Sequence, residues 1–179
     1  MKKEILKEWI ETSEQLLELI SAAGEKELNE IPFPQSWTAA QVGEHLLKSY
    51  GIVEILKSSQ TKTERPADEK VEQLKGFFLN FNLKAKTAAA ILPSNDFIDK
   101  ENLISSLKKR IAEIKEVIQT KDLSEICETV TLPVFGALTR AEWLHLIVYH
   151  TQRHIHQVNN IFQTLKTKSN ESSKPLSEL

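Results

Sequence analysis

The chain has 179 residues, a formal net charge of −2 and a mean hydropathy of −0.32, with 40% hydrophobic and 27% charged residues. That is one globular domain's worth of chain with enough apolar material for a full core. Basic and acidic residues are interspersed, so no basic face invites nucleic acid, and no apolar run reaches the roughly 18–20 residues of a membrane span.

The single cysteine, Cys127, excludes an internal disulfide and fits a reducing compartment. The opening "MKKEILKEWIETSEQ" carries acids at helical spacing rather than an apolar leader core, so a cytoplasmic protein is expected. Five glycines and six prolines favour long helices over a turn-rich β fold.

In chain order, Leu6, Trp9, Ser13, Leu16, Leu17 and Ile20 form one stripe of a helix over 2–22, with Gly24 as its stop. The stretch 25–37, with two prolines, reads as a loop. Thr38 followed by Gln41 has the form of a capping box and predicts a second helix, striped by Val42, His45, Leu46, Ser49, Ile52, Val53 and Leu56. The polar "SSQTKTERPAD" (58–68) breaks it; a shorter helix at about 69–82 and an irregular crossing to Pro93 follow.

Leu103, Leu107, Ile111, Ile114 and Ile118 then set out a clean helix over 100–120. Pro133 and Gly136 interrupt 129–139, after which Thr139 and Glu142 form a second capping box for a helix running to about 166. Four long amphipathic helices with polar connections imply an all-α four-helix bundle with a long irregular middle connection. One domain over 1–166 and a polar tail over 167–179, frayed or disordered, are expected.

Four of the five histidines fall within "EWLHLIVYHTQRHIHQVNNI". At about 100° per residue, His150 and His154 share the apolar face with Trp143, Leu146, Gln157 and Ile161. His145 and His156 point the other way, to the periphery and to solvent. His45 lies on the stripe of its own helix, so three imidazoles project towards one core from two helices. A buried imidazole without a partner is unfavourable by about 1–3 kcal/mol, and a shared divalent metal (Zn, Ni or Fe) would satisfy all three. The competing reading is three separately hydrogen-bonded core histidines, which a bare His-x₃-His spacing does not exclude.

These residues sit in motifs that resemble those of the DinB/YfiT-like metalloenzymes. "SWTAAQVGEHLL" (36–47) resembles that family's second-helix signature, and "FGALTRAEWLHLIVYHTQRHIHQ" (135–157) the last-helix signature of one branch. The likeness covers about residues 3 to 165. It implies a DinB-type four-helix bundle whose three-histidine site falls on His45, His150 and His154. Relatives often carry His before the Pro of the turn, where this chain has Leu132, so no ligand is expected there. The resemblance also implies a small-molecule substrate and either hydrolysis or S-transfer from a low-molecular-weight thiol such as bacillithiol.

Three protein ligands would leave a position open to water or thiol, the arrangement of catalytic rather than structural sites. No second catalytic group stands out. Glu44, rotated about 100° from His45, reads as a solvated surface carboxylate. Gln157 would bond a ligand or a histidine, or simply pack; Tyr50, Trp37 and Trp143 would line a pocket or belong to the core; Arg153 would meet an acidic thiol or lie at the surface. The rival class is a non-catalytic, metal-stabilised binding or stress-response module. A stripe left exposed on the first or fourth helix would support a homodimer.

Overall fold

The structure, a computed structural model, describes residues 1–83 and 86–172, with side chains through 170. Its long helices are α1 (Lys2–Ala22), α3 (Ala39–Ser49), α6 (Lys100–Thr120) and α7 (Arg140–Ser172); α2 (Glu25–Leu28), α4 (Val53–Lys57) and α5 (Val71–Phe78) are short. Round the bundle the neighbours run α1, α6, α3, α7, with α5 laid on α7 and α4 against α6. No described helix is long and apolar enough to cross a membrane.

Each stripe is buried much as its period dictates. Ile5, Trp9, Leu16 and Ile20 of α1 face Leu107, Ile114 and Ile118 of α6, and Val42 and Leu46 of α3 close the same core. Burying each such side chain contributes about 1.5–3 kcal/mol. On α1 it is Ile5 rather than Leu6 that is fully buried. Gly43 lets α3 approach closely: a Cβ there would stand 2.9 Å from Leu103 Cδ2 and 3.3 Å from Ile20 Cδ1.

The caps read from the sequence are present. Gln41 N donates to Thr38 Oγ1 (3.1 Å) while Thr38 N donates to Gln41 Oε1 (3.0 Å). Glu142 N donates to Thr139 Oγ1 (3.1 Å), and Thr139 N returns to Glu142 Oε2 (2.9 Å).

Several local expectations need correcting. The loop at 25–37 opens with the single turn of α2. The second helix does not run through: Tyr50–Ile52 tightens into a 3₁₀ turn before α4 resumes. Ser49 Oγ donates back to the His45 carbonyl at 2.8 Å, a contact that bends helices, and Gly51 adds a weak helix former at the bend. The helix expected at 69–82 shortens to α5, and the last helix continues past 166 to Ser172. Residues 173–179 of the expected tail lie outside the described residues, as do 84 and 85 of the crossing segment.

The break at 129–139 is a β-hairpin inside this otherwise helical chain. β1 (Ile126–Leu132) pairs antiparallel with β2 (Gly136–Thr139), with an irregularity between Cys127 and Thr131. Thr61 of the middle connection bridges to Ile126 on the same strand. Cys127 is buried there, and burial pushes its thiol up to about 11.

At the hairpin tip Val134 has φ 75° and is 83% exposed. A β-branched residue in the left-handed region is strained by about 1–2 kcal/mol and here has no packing to lose. Val134→Asn should therefore raise unfolding stability by roughly 0.5–1 kcal/mol, read from urea melts.

Candidate metal centre

His45 is delivered by the second turn of α3, and His150 and His154 by one face of α7, its packing neighbour. The Thr38 and Thr139 caps fix where each helix begins and so the rotation of its imidazoles. His45 and His154 are buried and His150 half-buried. One ring nitrogen from each lies within 4.8 Å of the other two. His150 Nε2 is 3.2 Å from His45 Nε2 and 3.0 Å from His154 Nε2. The rings meet edge to face, with centroids 4.5–5.0 Å apart.

The far nitrogens decide the tautomers. His45 Nδ1 is 2.8 Å from the Ile91 carbonyl, which only accepts, so this nitrogen carries the proton. His154 Nδ1 faces Gln157 Oε1 at 2.8 Å and donates in the same way. Neutral rings so arranged direct the Nε2 lone pairs of both residues at His150 Nε2. That nitrogen has at most one proton for two acceptors.

The rings are held neutral. Burial lowers the pKa of His45, with Lys48 adding to it against the Ile91 bond. Burial, then the neighbouring His154, His45 and Arg153, keep His150 well below the usual histidine range. His154 is lowered to about 3, burial first and His45 next, with the Gln157 bond opposing. Neutral imidazole is the metal-binding form.

The donor set therefore fits a divalent ion. Nitrogens about 2.0–2.1 Å from a common ion stand about 2.9 Å apart at a right angle and about 3.3 Å apart at a tetrahedral one. The two separations here, 3.2 and 3.0 Å, fall in that window. A cation would also replace the opposition of lone pairs that one proton cannot relieve.

The remaining expected residues divide. Trp37 lies against His45, ring centroids 5.2 Å apart. Gln157 bonds His154, so it orients a histidine rather than simply packing. Tyr50 does not line the cluster: its hydroxyl bonds Thr151 Oγ1 (2.8 Å) and its ring meets Trp9 edge-on in the core. Trp143 is buried but makes no ring contact with the imidazoles, and its Nε1 has no hydrogen-bond partner among the described residues. Arg153 is not free at the surface. Its guanidinium donates to the carbonyls of Phe78, Asn80 and Leu83 and so ties down the chain after α5.

Glu44 is not a solvated carboxylate either; Ser94 N donates to its Oε2 at 2.6 Å. His156 is exposed and stacks on Phe81. His145 stays away from the cluster but is half-buried, with Nδ1 3.6 Å from Glu8 Oε2 of α1. Leu132 sits in β1, outside the histidine cluster. Two contributors had no individual signal in the sequence: the Ile91 carbonyl, a backbone group, and Phe78, whose ring lies 5.7 Å from His150.

Comparison with known proteins agrees with this architecture. TT2238, described as a four-helix bundle protein, superposes with a TM-score of 0.58 at 19% identity, over 89% of this chain and 99% of its own. YfiT from Bacillus subtilis, described as "a probable metal-dependent hydrolase with an unusual four-helix bundle topology", gives 0.58 at 18% identity, over 92% and 87%. The uncharacterised protein YuaE of Bacillus subtilis (strain 168) is 22% identical over 147 residues, 82% of this chain and 90% of its own length. The sequence model of the DinB superfamily matches residues 8–158, a span that contains His45, His150 and His154. On that match the chain belongs to the DinB superfamily.

Proposed function

We propose that this protein is a metal-dependent enzyme acting on a small molecule, with one divalent ion held by His45, His150 and His154. The observation that carries the reading is the convergence of three Nε2 atoms, two of them committed as acceptors by the Ile91 and Gln157 bonds. A bound ion would supply Lewis acidity and lower the pKa of a water or thiol in its open position. The protein's own groups would hold and orient the imidazoles, while Trp37 and Phe78 flank the site with aromatic surface.

Within this reading we favour S-transfer from a low-molecular-weight thiol over hydrolysis. Among the described residues, the polar groups bonded to these three imidazoles, apart from one another, are the Ile91 carbonyl and the Gln157 amide. Neither is a general base. A thiol needs none once a cation holds it as thiolate, whereas hydrolysis gains from a base to steer the attacking water. The description of YfiT as a hydrolase keeps hydrolysis as the second reading.

The test is turnover by Zn²⁺-, Ni²⁺- and Fe²⁺-loaded protein of an electrophile with bacillithiol or a simpler thiol, beside hydrolysis of activated esters and amides. Metal-dependent thiol consumption supports S-transfer; ester or amide turnover without thiol moves the assignment to hydrolase. A bound metal that raises stability, with neither activity, would leave the metal-stabilised binding module as the function.

The Gln157 bond makes a separate prediction. Groups that orient metal-bound histidines typically account for 10–100-fold in affinity. Gln157→Ala should weaken Zn²⁺ binding by about that factor, while Gln157→Glu, which keeps an acceptor, should not. Competition with a chromophoric chelator reads the difference.

A further inference from the structure

The residue that faces Ile91 is His45, but nothing in the core holds Ile91 itself. Ile91, Pro93 and Ser94 are half-buried and none of residues 86–97 is fully buried, so side-chain burial does little to fix the position of this strap. A backbone carbonyl on such a segment orients an imidazole only if the segment is tied down by other means.

Those ties come from one stripe of α3. Gln41, Glu44, His45 and Lys48 stand at helical spacing i, i+3, i+4 and i+7. Gln41 Nε2 donates to Ser94 O (2.8 Å), Ser94 N to Glu44 Oε2 (2.6 Å), and Lys48 Nζ to Leu92 O (2.7 Å). Lys48 Nζ also lies 3.1 Å from Glu44 Oε1, which joins two of the ties into one unit. Backbone groups of residues 91, 92 and 94 are thus gripped by α3, and the Ile91 carbonyl is presented to His45 at 2.8 Å.

We propose that Glu44 is a positioning residue for His45: its carboxylate, braced by Lys48, holds Ser94 so that the Ile91 carbonyl fixes the tautomer and direction of the His45 ring. The Glu44 carboxylate bonds Ser94 and Lys48 rather than an imidazole; it acts through the strap. This assignment rests on the reading of His45 as a metal ligand, but its structural half is measurable without metal.

The experiment compares wild type, Glu44→Ala, Glu44→Gln and Lys48→Met. In metal-free protein with ¹⁵N-labelled histidine, NMR reads the His45 Nδ1–H proton. In the same proteins a chromophoric chelator reads Zn²⁺ affinity. The expected result is a slowly exchanging Nδ1–H in wild type and Glu44→Gln, lost or broadened in Glu44→Ala. Zn²⁺ affinity should fall about 10–100-fold in Glu44→Ala and recover to within about threefold in Glu44→Gln. Lys48→Met should move both readouts the same way by less.

An Nδ1–H in Glu44→Ala as protected as in wild type, with unchanged Zn²⁺ affinity, overturns the proposal. If Glu44→Ala does not fold, a wild-type Nδ1–H signal and affinity in Lys48→Met overturn it instead. Failure of wild type to bind Zn²⁺ would count against the metal reading, and the Nδ1–H signal would still decide the role of Glu44.

Discussion

His150→Ala should lose the metal and with it any metal-dependent turnover. His150 Nε2 is the shared member of both close nitrogen pairs, at 3.2 and 3.0 Å, so removing it leaves His45 and His154 without their common neighbour. A ligand at a thousand times its Kd stabilises the folded state by about 4 kcal/mol. Wild type should therefore gain about that much on loading with Zn²⁺, and His150→Ala almost nothing. The metal-free variant should stay folded, because the deleted ring gives up opposed lone pairs rather than a satisfied network. Chemical melts with and without Zn²⁺ measure both quantities. An equal gain in wild type and variant would place the metal somewhere else.

Glu142→Ala should be the most damaging change away from the cluster. The Glu142 side chain is 0% exposed. It accepts from Arg65 Nη1 (2.6 Å) and Nη2 (2.8 Å), from Lys70 N (2.8 Å) and from Thr139 N (2.9 Å). One carboxylate thus caps α7 and anchors the middle connection that leads into α5. Truncation strands the Arg65 charge and two backbone donors, and breaking such a pair on one side costs about 3–5 kcal/mol.

The same carboxylate sets a pH dependence. Burial raises its pKa, but Arg65 and the Thr139 and Lys70 amides outweigh that and hold it below its usual 4.5. The unfolded chain therefore takes up this proton first as pH falls. The stability it contributes is present above about 4.5 and is lost as pH falls through the folded-state value. Glu142→Gln should flatten the acid limb of the stability profile as pH falls below about 4.5, measured by urea midpoints. An acid limb as steep as that of wild type would mean that other carboxylates govern it.

The histidine set was legible because it depends only on helical pitch. His45 sits on the stripe with Val42 and Leu46, and His150 and His154 are one turn apart, so their convergence follows once both helices bury their apolar faces. The caps were legible for a similar local reason. What stayed hidden depends on contacts between distant segments. Arg140 looks like an ordinary charge at the start of α7, yet it is 2% exposed and donates to the carbonyls of Leu56, Ser58 and Asp122 and to Glu125. Nothing beside it in the chain announces those partners.

Glu44 was misjudged in the same way, since its partner Ser94 lies in an irregular segment with no period to read. Tyr50 was open to two readings from the sequence, pocket wall or core, and contacts with distant residues select the core. An aromatic near the histidines invites a pocket role, but the 3₁₀ turn at Tyr50–Ile52 turns it to Trp9 and Thr151. The hairpin was read only as a break, because Pro133 and Gly136 mark where a helix stops without saying what replaces it.

The most direct test of the metal centre is a crystal structure of untagged protein with anomalous scattering recorded across the zinc, nickel and iron edges. One peak is predicted, about 2.0–2.3 Å from the Nε2 atoms of His45, His150 and His154. Density with no peak among these rings, or with any of the three turned towards bulk solvent, would contradict the account.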